Sequence, residues 1–143
     1  MNIDPIKNGI VIDHITAGKG MSLYQLLKLD QLDCSVAIIK NATSRKTGKK
    51  DIIKIDNIMD LDMDILGYVD PGVSISIIKD GETIEKRRAD LPKQLTNVIR
   101  CKNPRCISTT EQELTQIFRL TDPEKKVYRC IYCETKADYE SIE

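Results

Sequence analysis

Four cysteines in the last third of the chain have the residue type and spacing of a metal site: Cys101, Cys106, Cys130 and Cys133. They form a Cys-x4-Cys pair followed by a Cys-x2-Cys pair. Each pair can present two thiolates from one tight turn, and two such turns together make the tetrahedral four-sulfur site typical of a structural zinc ion. Because four protein ligands leave no open position for water or substrate, this site predicts a role in folding rather than in catalysis.

The same cysteines allow two other interpretations. They would pair as two disulfides in an oxidising compartment, and four thiolates also suit iron or an iron–sulfur cluster. The chain starts at Met1 without the basic and apolar regions of a signal peptide, and it has no apolar run long enough to span a bilayer. We therefore expect a cytoplasmic, reducing setting and no membrane partner, which favours zinc. A fifth cysteine, Cys34, is interpreted as a small buried or edge hydrophobe.

Composition limits the kinds of partner. The chain has 143 residues, of which 41% are hydrophobic, so it can bury a core as one domain or two small ones. Its 22 basic and 22 acidic residues balance, whereas a dedicated nucleic-acid binder carries a strongly basic surface. Aromatic platforms for single strands are scarce, since there is no Trp and Phe118 is the single Phe. We therefore expect no nucleic-acid partner, although zinc ribbons do bind nucleic acids.

The first part of the chain alternates strand and helix patterns. β-branched apolar runs predict strands at residues 9–15, 35–41, 51–56 and 73–77, and the turn signal Asp80-Gly81 predicts a return strand at 82–86. Helical spacing predicts helices at 22–29, capped by Ser22, and at 60–68, with a solvated hairpin loop at 43–50. This order, β-α-β-β-α-β with an extra edge strand, predicts a ferredoxin-like split βαβ sandwich.

The remainder predicts a small all-β zinc ribbon, with strands at residues 96–100, 116–120 and 127–129 and a turn at 122–126. The whole chain is then α+β, with one domain at residues 1–92, a linker at 93–96 and a zinc domain at 97–143. A unit of that size is marginal without help. Zinc binding, worth roughly 10–16 kcal/mol in small peptides, would make it fold.

Two lysines suggest an anion site on the first sheet. Lys54 lies among isoleucines on a predicted central strand, where an ammonium group is costly unless it reaches water or an anion. Lys86, followed by two arginines, ends the last strand of the same sheet. The single histidine, His14, is interpreted as an ordinary residue at a strand end, and the turn at residues 18–22 lacks the spacing of a phosphate-binding loop.

Several segments resemble the regulatory chain of aspartate carbamoyltransferase: residues 7–15, 48–57, 91–92 and 97–99, Cys106-Ile107-Ser108, and Cys130-Ile131-Tyr132-Cys133-Glu134. The resemblance covers nearly the whole chain and implies a non-catalytic subunit. Its first domain would bind nucleotide effectors, with CTP, often together with UTP, inhibiting and ATP activating. Its zinc domain would dock on the catalytic chain, and regulatory dimers would link catalytic trimers into an assembly of six chains of each kind. This implies feedback control of pyrimidine biosynthesis. A free-standing zinc ribbon that binds nucleic acid or another assembly is the alternative.

The resemblance also implies roles for individual residues. Nucleotide contacts fall on Val11, Asp13, His14, Lys54, Lys86, Ile6 and Ile78, with the lysines facing phosphate and ribose and the two isoleucines beside the base. Asn103 and Tyr132 match residues that face the catalytic chain. The sequence departs from the family pattern at Pro5, Ser76, Gly81 and Thr83, which bears on effector preference, and at Arg105 and Thr135 in the zinc domain.

Overall fold

The computed structural model describes residues 5–46, 48–58, 60–111 and 113–137. The chain start, on which the expectation of no signal peptide rests, lies outside these ranges, as does Thr47 in the expected 43–50 loop. The chain divides into two compact units, Met1–Asp90 and Leu91–Glu143. The domain bounds and the linker expected at 93–96 stay predictions. No helix in the described ranges is long and apolar enough to cross a membrane.

The first unit contains a five-stranded sheet and two short helices. Its elements are β1 (Gly9–Thr16), α1 (Gly20–Leu26), β2 (Val36–Ser44), β3 (Gly48–Asp56), α2 (Met63–Val69), β4 (Ser74–Lys79) and β5 (Glu82–Arg88). The strand order is β2-β3-β1-β4-β5, and all neighbouring strands are antiparallel. Strands β1 and β2 therefore run parallel with β3 between them, which is a split βαβ arrangement. The predicted ferredoxin-like fold is confirmed.

Alternating isoleucines place the core of this unit on one face of the sheet. Ile10, Ile12, Ile53 and Ile75 are at most 2% exposed, and the leucines of α1 and α2 are buried with them. The residues between these isoleucines point to the other face and are half-buried. That second face is therefore open for a ligand.

Helix α1 differs from its prediction because a distant carboxylate determines where it starts. It begins at Gly20 rather than Ser22 and ends at Leu26. The Asp51 carboxylate, on β3, accepts hydrogen bonds through Oδ2 from the N–H groups of Gly18 (3.1 Å) and Gly20 (3.0 Å). A Cβ added at Gly20 would lie 2.8 Å from that oxygen. The first N–H group of the helix, that of Gly20, and the N–H group of Gly18 before it thus share a carboxylate acceptor from β3.

Other element bounds also shift. The β2–β3 hairpin is longer than predicted, since the strands extend to Ser44 and back from Gly48 and leave only a short turn where residues 43–50 were expected to be a loop. Helix α2 starts at Met63, after its N-cap Asp62, whose Oδ1 accepts the N–H of Asp64 at 3.0 Å. The predicted hairpin turn is confirmed at Asp80 (φ 53°) and Gly81 (φ 80°).

The second unit is a three-stranded antiparallel sheet with one helical turn. Its elements are β6 (Gln94–Thr96), α3 (Ile107–Thr110), β7 (Ile117–Asp122) and β8 (Val127–Cys130), and the sheet order is β6-β7-β8. Leu95, Phe118 and Tyr128 form its buried layer. The first strand of this unit was predicted at residues 96–100, but β6 ends at Thr96. The short helix α3 was not predicted. The small, mainly β zinc-ribbon-like unit itself is confirmed.

Candidate metal centre and effector-binding face

The four cysteines of the paired motif meet at one point in the second unit. Cys106 is the N-cap of α3 and Cys130 ends β8, so each pair is carried by the end of an element and the turn beside it. The Sγ atoms of Cys101 and Cys133 are 3.5 Å apart, and those of Cys106 and Cys130 are 3.7 Å apart. All four sulfurs lie within 4.8 Å of one another. All are free thiols, so the disulfide alternative does not describe this structure.

These distances fit one zinc ion. A tetrahedron with Zn–S bonds of about 2.3 Å has sulfur–sulfur edges of roughly 3.8 Å. Three of the cysteines are buried and Cys133 is half-buried, so the site is closed to substrate. The arrangement holds a structural zinc ion, which would join the two cysteine pairs and supply the stability that this small unit needs.

Hydroxyl groups lie within hydrogen-bond distance of two of the four sulfur atoms. The Ser108 hydroxyl lies 3.0 Å from Cys106 Sγ, and the Thr135 hydroxyl lies 3.1 Å from Cys133 Sγ. Burial raises the pKa of Cys101 to about 12. Burial also acts to raise the pKa of Cys133, but hydrogen bonds from Thr135 and Asn103 outweigh it and lower the pKa to about 6. A lowered pKa favours the thiolate form, which is the form that binds a metal.

The two residues expected at the partner interface both brace the cysteine turns. The Asn103 backbone carbonyl accepts hydrogen bonds from Cys106 N–H at 3.1 Å and from the Thr109 hydroxyl at 2.8 Å. Tyr132 is 38% exposed, and its hydroxyl donates to the Thr115 carbonyl at 2.9 Å. Tyr132 presents its ring at the surface beside the metal centre, while Asn103 is half-buried.

On the first unit, strand register gathers the expected nucleotide residues on the open face. Val11 on β1 lies opposite Lys54 on β3 and opposite Ser76 on β4, and Ser76 lies opposite Lys86 on β5. Lys54 and Lys86 are three strand spacings apart, roughly 14 Å between backbones, so both long side chains can reach a ligand lying between them. We call these four residues the lysine row.

The remaining expected residues lie on either side of the lysine row. Ile78 follows two positions after Ser76 on the same face and pairs with Gly9. Ile6 lines a cleft of about 500 Å³ together with Lys54. Asp13 and His14 come after Val11, toward the other end of β1. The seven residues are therefore spread along β1 and across its neighbouring strands rather than gathered around one point.

A bulge in β1 shapes the Asp13–His14 end. His14 has a left-handed backbone (φ 60°), and the β1–β3 register shifts between Ile12 and Ile15. Asp13 forms an ion pair of 2.9 Å with Lys50 and accepts the His14 N–H at 2.6 Å. Partial burial acts to raise the pKa of the Asp13 carboxyl, but Lys50 and the His14 N–H outweigh it and hold this pKa below its usual range. His14 Nδ1 lies 3.1 Å from the Ser74 hydroxyl.

A cationic cavity of about 630 Å³ opens beside His14. Its charged lining comes from two sequence-distant segments, the β2–β3 hairpin and the end of β5: Lys46, Lys49, Lys50 and Arg88. From the sequence alone, the hairpin cations are expected to be solvated, and Arg88 has no predicted role beyond its place at the end of a strand. The signal that finds it is register, because Ser74 lies opposite both Asp13 and Arg88. This concentration of positive charge suits a polyphosphate.

Comparison with known proteins agrees with both halves of the chain. Residues 1–90 match the family described as aspartate carbamoyltransferase regulatory chain, allosteric domain, and residues 93–143 match the metal binding domain of the same chain. The chain is 50% identical over 134 residues to the aspartate carbamoyltransferase regulatory chain of Clostridium botulinum (strain Hall), covering 94% of this chain and 92% of that one.

Two further relatives bear the same name. The Clostridium tetani chain is 48% identical over 135 residues, with 94% of each chain covered. The Bifidobacterium longum chain is 40% identical over 137 residues, covering 96% of this chain and 99% of the relative. Such chains are regulatory and non-catalytic, and the match across both units rules out the alternative of a free-standing zinc ribbon. With its allosteric and metal-binding domains, the chain belongs to the family of aspartate carbamoyltransferase regulatory chains.

Proposed function

We propose that this chain binds nucleoside triphosphates on the open face of its first sheet and makes the activity of a catalytic chain depend on them. CTP, together with UTP, lowers that activity and ATP raises it, which gives feedback control of pyrimidine biosynthesis in the cytoplasm. The lysine row, continued at one end by the cationic cavity, is the observation that carries this proposal.

The nucleotide lies along β1. Ile6 and Ile78 offer apolar contacts to the base near Gly9, and Lys54 and Lys86 reach the ribose and the first phosphate from either side of Val11. The terminal phosphates then lie toward His14. From Gly9 to Asp13 the strand advances about 13 Å, a length that matches an extended nucleoside triphosphate.

The cavity charges suit the phosphate end of that ligand. Lys50 and Arg88 approach from strands on opposite sides of β1, and the Asp13 carboxylate already holds the Lys50 ammonium in place. Phosphate oxygens form strong hydrogen bonds with such cations. A triphosphate therefore gains more from this cavity than a monophosphate does.

The departures from the family pattern change details of this face. Ser76 occupies the centre of the lysine row, where a shorter side chain than asparagine leaves more room. Gly81 has φ 80°, a conformation that a bulkier residue adopts only with strain. Pro5 lines the same cleft as Ile6 and lacks an N–H group that could bind a base. Thr83 lies opposite Ile78.

A regulatory chain implies a catalytic chain as its partner, and the zinc unit is proposed to dock on it. Exposed apolar side chains surround the metal centre, with Ile107 54% exposed and Ile131 38% exposed. Zinc holds the two turns that carry them. The chain also pairs with a second copy of itself, and such dimers link catalytic trimers into an assembly of six chains of each kind.

The test is calorimetric titration of the full-length chain with ATP, CTP and UTP, followed by activity measurements on the complex with its catalytic chain. We expect saturable binding to the isolated chain and nucleotide-dependent activity of the complex. An isolated chain that binds none of the three nucleotides, or a complex that does not respond to them, contradicts the proposal.

A further inference from the structure

A row of positive charge crosses the sheet of the second unit. Arg119 on β7 lies directly opposite Arg129 on β8, and Arg129 lies directly opposite Lys136 in the segment that follows the last cysteine. The backbone of that segment is held against β8, since Ala137 N–H donates to the Tyr128 carbonyl at 2.7 Å. We call these three residues the basic row.

The basic row points outward. Phe118 and Tyr128, which alternate with the two arginines along their strands, are 1% exposed and face the core. Residues directly opposite each other in a sheet share a face, so the three cationic side chains stand side by side on the outer surface. All three are exposed.

This arrangement works against the stability of the free chain. Like charges directly opposite each other on a sheet are destabilising. The ion pairs among the described residues, Asp13–Lys50 and Glu85–Arg87, do not include a member of the row. The Arg129 guanidinium donates to the backbone carbonyl of Glu134 at 3.1 Å, which positions that side chain but does not neutralise its charge.

A hollow beside the basic row indicates which kind of group could compensate the row's positive charge. A small hollow of about 110 Å³ is lined by Arg119, Arg129, Ile131 and Glu134. Ile131 is 38% exposed and continues this surface toward Tyr132, the residue expected to face the catalytic chain. The two arginines that line the hollow can bind a carboxylate of a partner, with an apolar neighbour packing on Ile131.

We infer that the basic row receives an acidic segment of the catalytic chain, as an extension of the docking surface around the metal centre. This inference rests on the proposed docking function. The partner's carboxylates relieve repulsion that the free chain tolerates, so the row favours the assembled state and speeds encounter with the partner.

The experiment compares three variants of the full-length, zinc-loaded chain. The first is Arg119→Gln/Arg129→Gln/Lys136→Gln. The second, Arg119→Gln/Lys136→Gln, retains the bond from Arg129 to Glu134 and so protects the cysteine turn. The matched control removes three exposed lysines of the same unit that lie off the row: Lys93→Gln/Lys125→Gln/Lys126→Gln. Zinc content, the melting temperature of the free chain, and Kd for the catalytic chain at low and high salt are measured for each.

Both row variants should bind the catalytic chain roughly 5- to 100-fold more weakly at low salt. Their binding should also depend less on salt than that of the wild type or the control. The two-residue variant should melt no lower than the wild type, because it removes repulsion. Weaker binding with undiminished stability is a result that a merely structural role does not give.

Two outcomes overturn the inference while leaving the docking function intact. In the first, the row variants bind as tightly as the wild type with the same salt dependence. In the second, the two-residue variant melts lower than the wild type, and Asp138→Asn/Glu140→Gln/Glu143→Gln melts lower as well. That result would indicate that acidic residues of the chain itself, and not of the partner, compensate the charge of the basic row. A wild-type chain that does not bind the catalytic chain overturns the docking function and the inference together.

Discussion

Cys101 and Cys133 are 32 positions apart in the sequence, and their Sγ atoms lie 3.5 Å apart. The distance is close to the edge of a zinc–sulfur tetrahedron, so the two cysteine turns are brought together at the metal. Both turns belong to the unit Leu91–Glu143, whereas every expected nucleotide residue belongs to Met1–Asp90. The zinc site and the proposed nucleotide site therefore lie in different units of the chain.

Replacing one zinc ligand should disrupt the second unit and leave the first unit folded. Cys130→Ser removes a buried ligand, and we expect the second unit to unfold and docking on the catalytic chain to be lost, because zinc contributes roughly 10–16 kcal/mol in comparable small units. The first unit should still bind ATP. Zinc content, size-exclusion profile and ATP titration measure the three effects, with Cys34→Ser as the matched control. A metal-free variant that still assembled would show that zinc is dispensable for docking.

Lys54 should be a major determinant of effector affinity. Its side chain stands at one end of the lysine row, on β3 beside the central strand β1, and a charge-assisted contact to phosphate is worth about 1.5–3 kcal/mol. Lys54→Ala should therefore weaken ATP and CTP binding together by roughly 10- to 150-fold. Calorimetry on the variant and on Lys93→Ala, a lysine of the other unit, measures the effect. Loss of only one nucleotide would instead place Lys54 against the base.

The Asp13–Lys50 ion pair should make the stability of the first unit depend on acid pH. The folded-state pKa of Asp13 is lowered, so the pair's contribution is fully present above the unfolded pKa of about 3.9. It is lost as the pH falls through the lower folded pKa. Because the pair is half-buried, we expect it to contribute less than about 1 kcal/mol.

Urea unfolding of the wild type and of Asp13→Asn at a series of pH values checks this dependence. The two curves should differ at neutral pH and converge in strong acid. Asp90→Asn, which changes an exposed carboxylate at the end of the same unit, is the control and should show no such convergence. Parallel curves for the wild type and Asp13→Asn at every pH would contradict the assignment.

Asp51 should be the most sensitive acidic position of the first unit. It is 0% exposed, and its carboxylate accepts N–H groups from Gly18, Gly20 and, at 3.0 Å, Asn41. An asparagine directs its NH2 group at one set of these donors, so Asp51→Asn should destabilise the unit by about 2–4 kcal/mol. Chemical denaturation measures the free energy of unfolding of Asp51→Asn, with Asp30→Asn as an exposed control. A loss below about 0.5 kcal/mol would contradict this role.

Local sequence patterns were sufficient to predict most strands of the fold and the metal centre. Alternating isoleucines such as Ile10 and Ile12 predicted the strands, the cysteine spacing predicted the metal centre, and Asp80-Gly81 predicted its turn. The start of α1 was wrong because Asp51, from another strand, caps it. No local pattern contains that contact.

The cationic cavity was missed for a related reason. Arg88 joins His14 and Lys50 only through the pairing of β5 with β4 and of β4 with β1. Charge in a hairpin or at a strand end is usually solvated, so the sequence context of these residues does not indicate that they line one cavity. Register, which depends on the whole sheet, gives these residues their shared location.

The close approach of Gly20 to the Asp51 carboxylate also limits the order in which mutations can accumulate. An alanine at position 20 would bring its Cβ within 2.8 Å of Asp51 Oδ2, while a smaller residue at position 51 would leave backbone N–H groups without their acceptor. A smaller residue at position 51 would make room for an alanine at position 20, but it would not restore the lost acceptor. We therefore expect the two positions to be epistatic, so that lineages of this chain keep Gly20 wherever they keep Asp51.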